Sequence, residues 1–260
     1  LSMAIYSLKK SYQLKDLQEV GFKDLLGDHG IFTTMWIFGK PLRILFFENH
    51  IKNLVKSLKI YRVKKKTLKK DILEIINRNL SKKVHYNHLL RIAVNKKIIS
   101  ISLRKRVRPK SNFDLKLVNL KREKPKYKNL KYKKILRHLI KLDNSKSDIG
   151  LVRNKKILET GTSNLLFIKN NKIFTPIKNY YEGNTFKFFK SKIKKIIKKD
   201  IFVKDLKNYD EILLVGSGKG VTSINTIQQI GWKRKNLEKF KILSKYYDSI
   251  TNMCRPHKFK

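Results

Sequence analysis

The chain has 260 residues, 41% of them hydrophobic, and its 63 lysines and arginines against 19 aspartates and glutamates give a formal charge of +44. That length and apolar content suit one large domain or two of ordinary size and exclude a disordered polypeptide. No apolar run approaches the roughly 18 to 20 residues that cross a bilayer, and the one cysteine, Cys254, excludes an internal disulfide and any multi-cysteine metal site.

In chain order, the stretch from Gly30 to Arg43 and beyond reads as a hairpin: the strand FTTMWIF, a turn at Gly39, Lys40 and Pro41, then the strand LRILFF. From Glu48 the apolar residues Ile51, Leu54, Val55, Leu58 and Ile60 recur at helical spacing. DILEIINRNL, Asp71 to Leu80, predicts a second amphipathic helix; LLRIAV and IISISLRKRV predict paired strands that stop at Pro109. RPKSN, Arg108 to Asn112, interrupts two strand-like runs with a proline and polar residues, as a linker or an ordinary surface loop does. Beyond it, DLKLVNL predicts a strand, and Lys126 to Leu142 a helix with Leu130, Ile135, Leu136, Leu139 and Ile140 as its apolar residues. IGLVRNKKILE and LLFIKNNKIFTP each read as strand, turn, strand; Phe186 to Lys199 predicts a helix; DEILLVGSGKGVTSI joins a strand to a glycine-rich turn. The order is mixed α/β without an internal repeat, and it predicts an N-terminal α/β domain over 1–107, a linker over 108–113 and a larger C-terminal domain over 114–260.

The start, LSMAIYSLKK, has too short an apolar core and no small-residue cleavage site for a signal peptide, so a soluble cytoplasmic protein with no membrane partner is expected. The charge draws such a chain non-specifically to nucleic acid by counterion release. Its basic residues run from Lys9 to Lys260, are overwhelmingly lysine, and accompany no zinc finger, KH loop or aromatic RNP strand, so they read first as solvated surface of biased composition.

A few short motifs carry possible chemistry. GSGKG, Gly216 to Gly220, offers backbone N–H groups and the Ser217 hydroxyl, either as a phosphate cradle or as a plain tight turn; it has the spacing of neither G-x-x-x-x-G-K-[ST] nor G-x-G-x-x-G. Gly183, Asn184 and Thr185 make another small polar turn. His85 and His88 have no acid or cysteine nearby at ligand spacing, so no metal is expected. In ILETGTSNLLF, Ile157 to Phe167, a single acid precedes a run of small residues and an asparagine; taken alone, Glu159 is an acid that pairs with a surface lysine.

Together these pieces resemble the fold-type IV pyridoxal 5'-phosphate (PLP) enzymes, the class IV aminotransferase family, which includes branched-chain and D-amino-acid aminotransferases and aminodeoxychorismate lyase. GDHGIFTTMWIFGKPLRILFFENHIKNLVKSLKIY, Gly27 to Tyr61, is similar to the family's strand, turn, strand and His-led helix; ETGTSNLLFIKNNKIFTP is similar to its signature of Glu, Asn five residues on, apolar residues and Thr-Pro; GNT and GSGKGVTSI fall where it keeps two phosphate-binding turns. The resemblance runs from about Gly27 to about Ile224. It implies a two-domain α/β fold, a smaller N-terminal α/β domain and a larger C-terminal one with a barrel-like sheet, and a homodimer.

The resemblance also implies a site. The family's Schiff-base lysine lies a little over thirty residues before the signature acid; Lys126 lies 33 before Glu159, and its form K-x-x-N-L, with Asn129, is similar to the lysine motif of the lyase and D-amino-acid branches. Glu159 then faces the pyridine nitrogen, and Asn184, Thr185, Ser217 and Gly218 hold the phosphate. Asn53 departs from the pattern, since the family carries an arginine three residues after the helix histidine, here His50; Lys52 and Lys56 are the nearby cations. Asn184, Phe186 and Leu166 depart as well, from an apolar, a basic and an aromatic residue respectively. GIFTT, without an acid, resembles the lyase branch, with Thr34 near the reacting carbon and Lys96, Arg91 or Arg104 on a substrate carboxylate. The implied function is aminodeoxychorismate lyase, acting on a small amino substrate to give 4-aminobenzoate for folate biosynthesis. A branched-chain or D-amino-acid aminotransferase is the alternative within the family; a degenerate non-catalytic member or a nucleic-acid-binding protein is the alternative outside that chemistry.

Overall fold

The computed structural model describes residues 6–259. These divide into two compact units: an N-terminal unit of residues 6–106, 127–132 and 253–259, and a C-terminal unit of 107–126 and 133–252. Among the described residues no helix is long and apolar enough to cross a membrane.

The N-terminal unit runs β1 (Tyr6–Gln13), β2 (Glu19–Val20), β3 (Ile31–Gly39), β4 (Arg43–Ile44), α1 (Phe47–Leu58), α2 (Leu68–Asn79), β5 (Tyr86–Val94) and β6 (Ile98–Lys105). Its strands form one sheet in the order β2-β1-β6-β5-β3-β4, antiparallel throughout. Each helix buries one stripe: Ile51, Leu54 and Leu58 of α1 and Ile72, Ile75 and Ile76 of α2 share a core with Met35 and Ile37 of β3 and Leu90 and Ile92 of β5. Full burial of each such side chain contributes roughly 1.5 to 3 kcal/mol. The expected strand LRILFF is reduced to Arg43–Ile44, because Phe46 takes a left-handed φ of 56° that turns the chain into α1.

The C-terminal unit runs β7 (Phe113–Asn119), α3 (Lys133–Leu139), β8 (Ser147–Arg153), β9 (Lys156–Thr160), β10 (Asn164–Lys169), β11 (Lys172–Pro176), α4 (Asn184–Lys192), β12 (Ile196–Lys199), β13 (Glu211–Gly216), β14 (Gly220–Ile227), β15 (Trp232–Lys233) and α5 (Glu238–Asn252). The sheet order is β12-β11-β10-β13-β14-β7-β8-β9, with β15 also on β14. β9, last in that order, comes back against β10 and β11, so the sheet curls on itself. Alternate residues fill its interior, among them Leu165 and Phe167 of β10 and Ile212 and Leu214 of β13, packed with Phe113, Leu115 and Ile157.

Two expected helices are corrected. Of the predicted stretch Lys126 to Leu142, only Lys133–Leu139 is helical. Residues 128–130 pair with the start of β3 instead: Phe32 N–H donates to Lys128 O (2.9 Å), Leu130 N–H to Gly30 O (2.9 Å) and Gly27 N–H to Leu130 O (2.7 Å). Leu130 is wholly buried there, and the Asn129 side chain accepts from Lys131 N–H at 3.0 Å, a local bond that competes with helix. Close approach is possible because residue 30 is glycine: a Cβ would lie 2.2 Å from Val94 O and 2.7 Å from Leu130 Cδ1. The second helix, expected to Lys199, ends at Lys192, and β12 pairs in parallel with β11. Its β-branched Ile193, Ile196 and Ile197 favour extended backbone wherever a sheet edge supplies partners.

Candidate active site

β9 ends at Glu159 and Thr160, β10 begins at Asn164, and a tight turn joins them, closed by Thr160 N–H donating to Ser163 O at 2.9 Å. The turn is held from below by Asp148, wholly buried on β8. Asp148 Oδ2 accepts from the hydroxyls of Thr160 (3.0 Å) and Thr162 (2.5 Å), and Oδ1 accepts from Ile149 N–H at 2.8 Å. Gly161 is closely enclosed; an added Cβ would meet Ile149 Cγ1 at 2.9 Å, Leu139 Cδ2 at 3.0 Å and Asp148 Oδ1 at 3.1 Å.

Glu159 is not a surface acid. It is 3% exposed and faces Arg122, 5% exposed, whose Nε donates to Oε1 at 2.8 Å and Nη2 to Oε2 at 3.4 Å. Tyr181 N–H also reaches Oε2, at 3.4 Å. The Tyr181 phenol is pushed up to about 12 by burial, with the Arg122 charge acting in the opposite direction. Two guanidinium N–H groups on two carboxylate oxygens make a fork that fixes the acid in both position and plane.

Asn164 links this acid to the next element. Its Oδ1 accepts from Gly183 N–H (3.0 Å) and its Nδ2 donates to Tyr181 O (2.6 Å), so it pins residues 181–183 directly ahead of α4. Asn184 and Thr185 open α4, both buried, and Thr185 Oγ1 has no hydrogen-bond partner among the described residues. Beside it are the first N–H groups of the helix, which have no partners within the helix itself. Asn164 also pairs with Val215 on β13, next to the turn carrying Ser217 and Gly218. A Cβ on Gly216 would come 2.7 Å from Ser163 Oγ, so this turn lies directly on the β9–β10 turn. Glu159, Asn164, Asn184, Thr185, Ser217 and Gly218 are thus presented by adjoining turns and a helix start at one end of the curled sheet.

The remaining expected residues are described within their own units. Lys126 is exposed and is the last residue of the C-terminal unit before the chain enters residues 127–132. Asn129, Thr34 and Asn53 belong to the N-terminal unit. Asn129 is buried, with Nδ2 within 3.4 Å of Tyr127 O. Thr34, half-buried on β3, stands opposite Arg91 on β5; Arg91 donates to Ser102 Oγ and Asp24 Oδ1, each at 3.2 Å. Lys96 is exposed in the β5–β6 turn, and Arg104 is half-buried on β6. Asn53 lies half-buried on α1 one turn after His50, while Lys52 and Lys56 are exposed on that helix. His50 is buried with Nδ1 2.6 Å from Thr33 Oγ1; burial first, then the charge of Lys128, lowers its pKa to about 3, so the imidazole is neutral. Among the described residues no group of three or more His, Cys, Asp or Glu is placed to hold a metal ion. Sequence reasoning missed Arg122, Asp148 and the role of Asn164.

The sequence profile of the class IV aminotransferases matches residues 30–227, from the start of β3 to the end of β14. The chain belongs to the class IV aminotransferases. Solved structures of the same fold include the branched-chain aminotransferase of Thermoproteus uzoniensis with norvaline, at 15% identity and a TM-score of 0.75 over 92% of this chain and 93% of that one. A hypothetical aminotransferase of Mycobacterium tuberculosis in its PLP-bound form matches at 16% identity and 0.70, over 92% and 98%. A Legionella pneumophila protein described as a "putative 4-amino-4-deoxychorismate lyase" matches at 17% and 0.70, over 91% and 97%. No curated protein sequence matches this class IV chain. It is a PLP-dependent enzyme, and its residues fit that cofactor. An orphaned, buried Thr185 hydroxyl beside a helix N-terminus is a group that an anionic phosphate can satisfy, and a buried carboxylate is an acceptor of the kind that suits a protonated pyridine nitrogen.

Proposed function

We propose that this class IV enzyme is an aminodeoxychorismate lyase, forming 4-aminobenzoate and pyruvate for folate biosynthesis. One observation carries the reading. The acid-free strand IFTTMW, which resembles the lyase branch, is backbone-paired with residues 128–130 of the K-x-x-N-L segment, which resembles the lyase and D-amino-acid branches: Asn129 is bridged to Ile31 and Lys128 O accepts from Phe32 N–H.

PLP, when bound, supplies a covalent site for the substrate amine and an electron-withdrawing ring. In this reading Lys126 carries the cofactor and then moves protons: it removes the proton from the ring carbon bearing the amine, the ether C–O bond breaks as the ring aromatises, and the departing enolpyruvate takes up a proton to become pyruvate. Glu159 keeps the pyridine nitrogen protonated. Asn184, Thr185, Ser217 and Gly218 donate to the phosphate, Asn129 holds the lysine segment, and Thr34 hydrogen-bonds the substrate with Arg91 opposite it as the cation for a substrate carboxylate. Asn53 replaces one charge-assisted phosphate contact, a loss on the order of 1.5 to 3 kcal/mol. The enzyme is a cytoplasmic homodimer in this reading.

The test is to supply PLP-loaded protein with aminodeoxychorismate and no keto acid. Release of pyruvate and 4-aminobenzoate is expected; a strict requirement for a keto-acid acceptor overturns the lyase and assigns a branched-chain or D-amino-acid aminotransferase. Borohydride reduction followed by peptide mapping is expected to fix the cofactor on Lys126, and any other lysine overturns that assignment.

A further inference from the structure

The geometry points to Arg122 as a positioning residue that sets where the proton shared by Glu159 and the cofactor's pyridine nitrogen resides. The inference rests on the reading that Glu159 faces that nitrogen. Arg122 and Glu159 are both almost wholly buried, and the guanidinium reaches both carboxylate oxygens, through Nε at 2.8 Å and Nη2 at 3.4 Å. In a chain whose basic residues are overwhelmingly lysine, the cation at this buried position is the one whose planar fork matches a carboxylate and which does not lose its proton.

A fixed positive charge acts on both ends of an acid–nitrogen pair, and more strongly on the nearer one, because Coulomb energy falls with distance. The carboxylate is the nearer end. Arg122 therefore disfavours a proton on Glu159 more than it disfavours one on the nitrogen beyond, and the shared proton stays on the ring. The fork also holds the plane of the carboxylate, with Tyr181 N–H as a further donor from a loop that Asn164 pins. Lys124, at a positive φ of 43°, and Pro125 separate Arg122 from Lys126, so one short stretch carries both the cation behind the acid and the lysine assigned to the cofactor.

The test uses holoenzyme loaded with PLP labelled with nitrogen-15 in the ring and reads the pyridine nitrogen by NMR, together with the pH profile of the visible cofactor band. Wild type is expected at the protonated position. Arg122→Gln, which keeps a donor without the charge, is expected to move the signal toward the unprotonated position, and Arg122→Lys, which keeps the charge without the fork, to restore it. A wild-type nitrogen signal in both variants overturns the inference and leaves Arg122 a structural residue. Glu159→Gln separates the two levels: if it too leaves the signal unmoved, the placement of Glu159 fails, whereas a signal moved by Glu159→Gln but not by Arg122→Gln overturns the role of Arg122 alone. Should Arg122→Gln not fold, Arg122→His gives the same contrast in one sample, charged at low pH and neutral at high pH; the nitrogen signal is expected to step with that titration, and a flat signal overturns the inference.

Discussion

Asp148 and Glu159 are buried acids on either side of the same turn, and the protein treats them differently. Asp148 makes no ion pair among the described residues; its charge rests on two threonine hydroxyls and one backbone N–H. Glu159, 3% exposed, has a guanidinium of its own. Neutral donors are enough to hold a turn in shape. A buried ion pair is weak evidence for stability, because the desolvation of two charges offsets most of their attraction. Spending a buried arginine on Glu159 and none on Asp148 therefore marks Glu159 as the acid whose charge state matters.

The contrast can be broken by mutation. The largest effect is expected from Glu159→Gln, which keeps the shape and removes the charge: turnover should fall by roughly 10²- to 10³-fold, the loss typical of one preorganised electrostatic contact, while circular dichroism shows the fold retained. Asp148→Asn should act on stability, lowering it by about 3 kcal/mol in urea unfolding because charge-assisted bonds to Thr160 and Thr162 are lost. If Asp148→Asn instead matched Glu159→Gln in turnover at unchanged stability, the distinction between the two acids would collapse. Gly161→Ala pushes a methyl group into Ile149, Leu139 and Asp148 and should cost about 2 kcal/mol by the same measurement.

At neutral pH the smallest expected effect comes from the N-terminal unit, where the loss develops only as the solution is acidified. His50 is buried beside a like charge, Lys128, rather than an opposite one, and its pKa is lowered to about 3. The unfolded chain, with an ordinary value near 6.5, binds the proton first, so this contribution to stability is complete above about pH 6.5 and declines as pH falls toward 3, by up to about 1.4 kcal/mol per pH unit. His50→Asn should flatten that acid limb in a pH series of unfolding midpoints; an unchanged limb assigns the dependence to other groups.

What the sequence disclosed follows from where each decision is made. β5 with β6, β8 to β11, and β13 with β14 were legible because short apolar runs and their turns lie next to each other in the chain. α1 was legible from the spacing of Ile51, Leu54 and Leu58. The segment 127–132 and β12 were not, because backbone partners remote in sequence, on β3 and β11, override local propensity. At the site, the role proposed for Glu159 came only from a family resemblance, since its residues alone predicted a surface ion pair. Arg122 was hidden in KREKPKYK, where one more basic residue reads as surface; its being an arginine four residues before Lys126 was the available signal. Asp148 gave none, since nothing in SKSDIG foretells that Thr160 at the end of a later strand and Thr162 in the turn after it will close over it.

The path of the backbone between the units also bears on how this protein can be altered as a gene. Residues 127–132 belong to the N-terminal unit although both flanks belong to the other, and residues 253–259 return to it, with His257 N–H donating to Leu42 O at 2.7 Å and Pro256 bridged to Arg43. Neither unit is a cassette. A segment excised at RPKSN would leave Gly27, Gly30 and Leu42 without the backbone partners that complete their unit, so shuffling of relatives, split-protein complementation or fusion at that point must carry three separate pieces of chain together.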